Sequence, residues 1–293
     1  MVSALLLFSV AFLVIQTISL KHIKVANLRE NILVNGVFSG IIGVCLVLYA
    51  LFSPMTFSPS TVLLGALFGI VFLATVGCYY YAMQTGPLSY TTFFFSASML
   101  IPALAGIFLF KEQPKISTII GIVLFLIAFY FISVLSASKG GQINKKWIIL
   151  CFTTFVFNGS LAVIAKLQQT ILQGEEVISM MLISFCSAFV FAMIAYFILI
   201  QKSKDKIVIK TDIKTIKSSL LLLVGAAVGT GGGNIILTFL TSRLSGAYLF
   251  PLVQGGVMVM ITLYSLLFLK EKMNKFGIIG ICFGVMAIVV INL

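Results

Sequence analysis

The sequence predicts an all-α polytopic membrane protein of ten transmembrane helices arranged as two inverted five-helix repeats. Three observations carry that prediction. Of 293 residues, 61% are hydrophobic and 9% are charged, where a soluble globular chain carries about 25% charged residues. The 19 Lys and Arg and the seven acids (Asp+Glu 7) stand in short clusters. Between the clusters run apolar stretches of roughly 18 to 24 residues, each long enough to cross about 30 Å of hydrocarbon as a helix. Finally, the second half of the chain repeats anchor residues of the first at a near-constant spacing.

In order, the spans are read at 3–20, 31–52, 60–83, 88–110, 116–137, 147–166, 177–200, 218–241, 245–269 and 276–292. The first has no basic residue before it and no small-x-small cleavage signal after it, so it reads as a membrane helix rather than a secretory leader. The breaks carry turn or charge signals: "KHIKVANLRE", "SPMTFSPS", "KEQPK", "SKGGQINKK" and "KEKMNK". The one long polar connection is Gln201 to Lys217. Cys45, Cys78, Cys151, Cys186 and Cys282 all lie within apolar runs with no CxxC pair, as small packing residues do.

The repeat is anchored at several points. Lys111-Glu112 recurs 159 residues later as Lys270-Glu271, and the IIGI of Ile119 to Ile122 recurs at the same offset at Ile278 to Ile281. Gly65 and Gly69 recur 160 residues on as Gly225 and Gly229, and Leu88-Ser89 recurs 156 residues on as Leu244-Ser245. Residues 1–138 then form the first repeat and 139–293 the second. Five is odd, so the second repeat enters the membrane from the opposite side, the plan of many secondary transporters.

With these features the chain resembles the drug/metabolite transporter superfamily in its ten-helix, EamA-type form. The resemblance rests on the five-plus-five plan, on "FKEQPKISTIIG" and "LKEKMNKFGIIG", and on the "TGPLSY" and "SRLSGAY" entries into helices four and nine. In that family the matching connections read Gly-Glu-hydrophobic. Here Phe110-Lys111-Glu112 and Leu269-Lys270-Glu271 keep the Glu and lose the Gly. The resemblance implies secondary transport, with helices one, three, four, six, eight and nine surrounding the substrate.

The run "GTGGGN" from Gly229 to Asn234 would suggest a phosphate cradle in a soluble protein. It lies inside one continuous apolar stretch, with no strand before it and Asn234 in the last fingerprint position, so the nucleotide reading fails. Gly225, Gly229 and Gly233 recur every four residues and suit close helix packing. A second reading is that the glycines expose backbone beside a substrate cavity, with Thr230 and Asn234 presenting polar groups.

Polar side chains inside a bilayer are costly, so the few present are the substrate-binding candidates: Gln16, Tyr79, Tyr81, Gln84, Ser96, Ser98, Asn158, Thr230, Asn234, Tyr248 and Gln254. Each has a bland alternative. Tyr near a helix end anchors at the interface, and Ser or Thr bonds back to its own helix. By the 159 offset Gln254 corresponds to Phe95, and Gly255 to Ser96, so helices four and nine place small or polar residues at one depth. Pro102 and Pro251 each free a carbonyl four residues back, at Ser98 and Ala247, as hinges or as packing geometry.

All seven acids fall in loops or at span ends. No carboxylate stands at mid-membrane, and Gln16 occupies helix one where four-helix multidrug relatives carry a Glu. The favoured reading is therefore a secondary transporter of a small neutral or zwitterionic metabolite, such as an amino acid, working by alternating access through a central cavity. An exporter of quaternary ammonium cations held in an aromatic cage is the alternative, and a lipid flippase a more distant one. One His and no intramembrane acid argue against an enzyme. No cofactor or metal is expected. The partners are the small-molecule substrate, membrane lipid and a candidate coupling ion, with no nucleic acid, for a monomer or homodimer in the plasma membrane. Loop charge puts both termini outside, whereas the family resemblance implies both inside.

Overall fold

The computed structural model describes the chain except residues 1, 112–114, 132–144, 174, 203–206, 242, 245, 272–273 and 292–293. Among the described residues every regular element is a helix: α1 (Val2–His22), α2 (Leu28–Phe52), α3 (Pro59–Thr85), α4 (Leu88–Ala97), α5 (Leu100–Phe108), α6 (Ile116–Tyr130), α7 (Lys145–Leu172), α8 (Val177–Lys202), α9 (Ile207–Ser218), α10 (Leu220–Thr241), α11 (Gly246–Leu267) and α12 (Lys275–Ile291). Hydrocarbon offers no partner to an open N–H or C=O, so apolar runs close their own hydrogen bonds as helices. Among the described residues, seven segments are long and apolar enough to cross a membrane: Val2–His22, Leu28–Phe52, Pro59–Thr85, Leu88–Phe108, Lys145–Leu172, Val177–Gln201 and Leu220–Leu240. The remaining three expected spans coincide with shorter apolar helical segments, Ile119–Ala128, Leu252–Leu267 and Lys275–Ala287.

The helix starts are set by side chains that take up the orphan N–H groups. Asn27 and Glu30 form a capping box on α2: Asn27 Oδ1 accepts from Glu30 N at 2.9 Å, and the Glu30 carboxylate accepts from Ala26 N at 2.8 Å. At α3, Ser58 Oγ accepts from Thr61 N at 3.2 Å, and Glu176 accepts from Ser58 N at 3.0 Å and Ser58 Oγ at 2.9 Å. Glu271, just before α12, reaches to the start of α4 and accepts from Leu88 N at 2.8 Å and Ser89 N at 3.3 Å. A negative charge at each of these positions also complements the helix dipole. So these three glutamates stand where they serve helix ends.

Two loop residues share an uncommon backbone. Lys111 has φ 52° and Lys270 has φ 53°, the left-handed region where a Cβ costs roughly 1–2 kcal/mol. They are the two positions where the resembled family carries Gly.

The chain divides into two compact units, residues 1–80 with 164–242 and residues 81–163 with 243–293. Each unit draws on both halves of the sequence. In the first, α1 packs along α10 and α2 along α8. Phe72 centres its core, with edge-on contacts to Phe38 at 6.1 Å and to Phe185 at 5.3 Å between ring centroids. In the second, α6 packs along α12 and α4 along α11. The single Trp147 is fully buried there: its Nε1 donates to Thr91 Oγ1 at 3.0 Å, and its ring lies over Gly86.

Candidate functional site

The fourth expected span is built as two helices, and the sequence explains where it breaks. Pro102 has no N–H, so the Ser98 carbonyl loses its donor in the next turn. The backbone tightens instead. Ser98 N bonds to Phe95 O at 3.4 Å, Met99 N to Ser96 O at 3.3 Å, and Ile101 N to Ser98 O at 3.0 Å, before α5 starts at Leu100. Ser98 Oγ donates to Phe95 O at 2.6 Å. Asn158 on α7 then clamps the break: its Nδ2 donates to Ser98 Oγ at 2.6 Å and to Phe95 O at 3.1 Å. Gly159 lets α7 come this close, because a Cβ there would stand 2.7 Å from the Ser98 carbonyl.

Two buried polar atoms lie on the pair of helices beside this clamp. Ser96, 1% exposed, has no partner for its Oγ, and Gln254 on α11, 8% exposed, has none for its Oε1. A buried polar atom without a partner costs about 1–3 kcal/mol, so each of the two is a reason to look for a ligand. Tyr81 is half-buried and Gln84 exposed near the end of α3. Tyr248 and Pro251 lie on α11, but their side chains fall outside the described residues. Pro102 is buried on α5.

In the first unit α10 is helical from Leu220 to Thr241, so the Gly229–Asn234 run does not unwind and the exposed-backbone reading is corrected. The glycines serve close packing on two sides. Gly225, Gly229 and Gly233 abut Ser19, Gln16 and Leu13 of α1, and Gly231 abuts Ile42 of α2. At Gly229 a Cβ would stand 2.6 Å from the Gln16 backbone N and still closer to the Phe12 carbonyl. Gln16 itself is buried. Asn234 Nδ2 donates to the Thr230 carbonyl at 2.9 Å, while the buried Thr230 Oγ1 has no partner. Tyr79 is buried, and the neighbouring Tyr80 donates its hydroxyl to the Ile23 carbonyl.

Sequence reasoning missed two polar groupings in this unit. Asn31, Asn35 and Ser39 form a buried ladder on α2. Asn31 Nδ2 donates to Gly77 O at 3.1 Å, Asn35 Nδ2 donates to Asn31 Oδ1, and Ser39 Oγ donates to Asn35 O at 2.8 Å. Their i, i+4, i+8 spacing was the available signal. The second is the buried Asp212, which accepts from Arg29 Nε at 2.7 Å, Arg29 Nη2 at 3.1 Å and Tyr196 OH at 3.0 Å. Outside the spans, hydrogen bonds from Thr61 and then from Ser58 hold the Glu176 carboxyl below the usual carboxylate range.

The candidates therefore offer hydroxyl and amide groups, suited to binding a solute by hydrogen bonds. Among the described residues no group of three His, Cys, Asp or Glu could hold a metal ion.

A model of the EamA-like transporter family matches residues 145–293. No curated protein matches the chain. Among the solved structures, one crystal structure aligns over 99% of this chain and 98% of its own at a TM-score of 0.62 and 14% identity, a likeness of fold.

Proposed function

This chain belongs to the EamA-like transporter family, and on that premise we propose that it is a secondary transporter of a small neutral or zwitterionic metabolite, such as an amino acid. It is an integral membrane protein, and we place it in the plasma membrane. Transport proceeds by alternating access through a central cavity, in a chain of ten spans forming two inverted five-helix repeats.

Several features support the repeat. Ile116 opens α6 and Lys275 opens α12, again 159 residues apart. Lys111 and Lys270, at the same offset, share the left-handed backbone. The matched spans also pack on each other: α2 on α8, α4 on α11, and α6 on α12.

The observation that carries the substrate reading is the buried, unpartnered atoms on two residues of the second unit selected for polarity: Ser96 Oγ and Gln254 Oε1. A hydroxyl and an amide carbonyl suit a ligand bearing both donors and acceptors. The broken α4–α5 helix adds irregular backbone at the same level of α4, which a membrane interior tolerates where it is buried in protein or lines a cavity. The quaternary-ammonium alternative needs an aromatic cage. Tyr80 is committed to the Ile23 carbonyl, which favours the first reading.

Thermal stabilisation of the purified protein against amino acids, quaternary amines, nucleosides and sugars tests this. A ligand at 100 times its Kd stabilises by about 2.7 kcal/mol. Stabilisation by neutral or zwitterionic amino acids is expected. A response confined to quaternary amines would replace this reading with the alternative.

A further inference from the structure

The connection 201–217, polar in sequence, contains the helix α9 (Ile207–Ser218). Its register is two-faced. Ile213 and Ile216 project within about 100° of Asp212 around the axis, whereas Lys214 and Lys217 project about 140–160° away. Asp212 fixes the rotation. It is fully buried, holds the two Arg29 contacts from α2, and accepts the Tyr196 hydroxyl from α8. With that charge paired to Arg29, the charged side chains left on the described outer face of α9 are those of Lys214 and Lys217.

Lys214 and Lys217 are exposed, and among the described residues neither pairs with a carboxylate. Apolar surface lies close by in the chain: Ile213 is 47% exposed, and Leu220 and Leu221 at the start of α10 are 54% and 85% exposed. Lysines beside exposed leucines at the head of a membrane-spanning helix match the chemistry of the lipid interface, headgroup charge above acyl chain. The membrane that this span enters supplies phosphate headgroups next to these lysines.

We propose that α9 is an anionic-lipid binding element: Lys214 and Lys217 bind phospholipid phosphates of the surrounding leaflet, and the Arg29–Asp212–Tyr196 clasp orients the helix to present them. The ligand class is a phospholipid with net negative charge. Electrostatic attraction of this kind weakens as salt rises.

The test uses the full chain, purified and delipidated, with its melting temperature followed during titration with phosphatidylglycerol or phosphatidylcholine in mixed micelles. Wild type is expected to prefer phosphatidylglycerol by about tenfold in the concentration needed for half the shift. The K214Q/K217Q variant is expected to fall below about threefold, and K214R/K217R to keep the wild-type preference. Lys214 and Lys217 are surface residues, and the melting temperature without lipid reports whether each variant folds. Equal response of wild type to the two lipids, or a K214Q/K217Q variant that responds as wild type does, would overturn the proposal. So would glycerol phosphate reproducing the full shift, since the ligand would then be a free anion.

Discussion

Asn158→Ala removes the clamp on the broken helix, and the structure sets the size of the effect. The side chain donates two hydrogen bonds, to Ser98 Oγ at 2.6 Å and Phe95 O at 3.1 Å. Phe95 O is not orphaned by the substitution, because Ser98 Oγ still donates to it at 2.6 Å. The loss is therefore that of the bonds alone, without the larger penalty of a buried unsatisfied carbonyl. Side-chain hydrogen bonds between membrane helices average about 0.6 kcal/mol each and reach about 1.7, so the variant should lose about 1–2 kcal/mol. Ser98→Ala removes the shared partner. Unfolding in a denaturing detergent, measured for wild type, both single variants and the double variant, gives the coupling energy. It should be about 0.5–1.5 kcal/mol, since one bond joins the two side chains directly. Transport by Asn158→Ala should fall by more than the stability change explains, because α4 loses the group that fixes its two halves. A coupling near zero, with transport unchanged, would refute the clamp.

Gly229→Ala places a methyl 2.6 Å from the Gln16 backbone N; overpacking against backbone costs about 1–3 kcal/mol, visible as a lower midpoint in the same unfolding assay. Lys111→Gly and Lys270→Gly relieve left-handed lysines and should each stabilise by up to about 1 kcal/mol, with the double variant additive. Glu176 has a folded-state pKa below its unfolded value. Its contribution to stability is thus complete above the unfolded pKa of about 4.3 and is lost as pH falls through the folded one. Melting temperature should drop between about pH 5 and lower values in wild type, and Glu176→Gln should flatten part of that drop.

Much of this architecture was legible in the sequence because the bilayer imposes simple rules. Apolar runs of membrane length became helices, and the break at Ser98 followed from Pro102 four residues on. Glu30, Glu176 and Glu271 became caps, though only the fold reveals that Glu271 serves α4, more than 180 residues earlier, rather than its own helix. The glycine run misled in one respect. One reading had Gly229 to Gly233 exposing backbone beside a cavity, yet α10 faces α1 on one side and α2 on another, and both contacts need small residues. The ladder of Asn31, Asn35 and Ser39 went unread because α2 was not a helix where polar residues were sought. Asp212 looked like a loop acid because the lysines around it hid the isoleucine periodicity of α9.

The central claim is that Gln254 and its neighbours bind a neutral or zwitterionic solute that the protein carries across the membrane. Counterflow in proteoliposomes tests it most directly, with unlabelled amino acid inside and a trace of labelled amino acid outside, for wild type and Gln254→Ala. Saturable accumulation by wild type, lost in a Gln254→Ala protein that melts normally, is the predicted result. Full counterflow by Gln254→Ala would contradict the site, and no counterflow with any neutral or zwitterionic solute would contradict the substrate class.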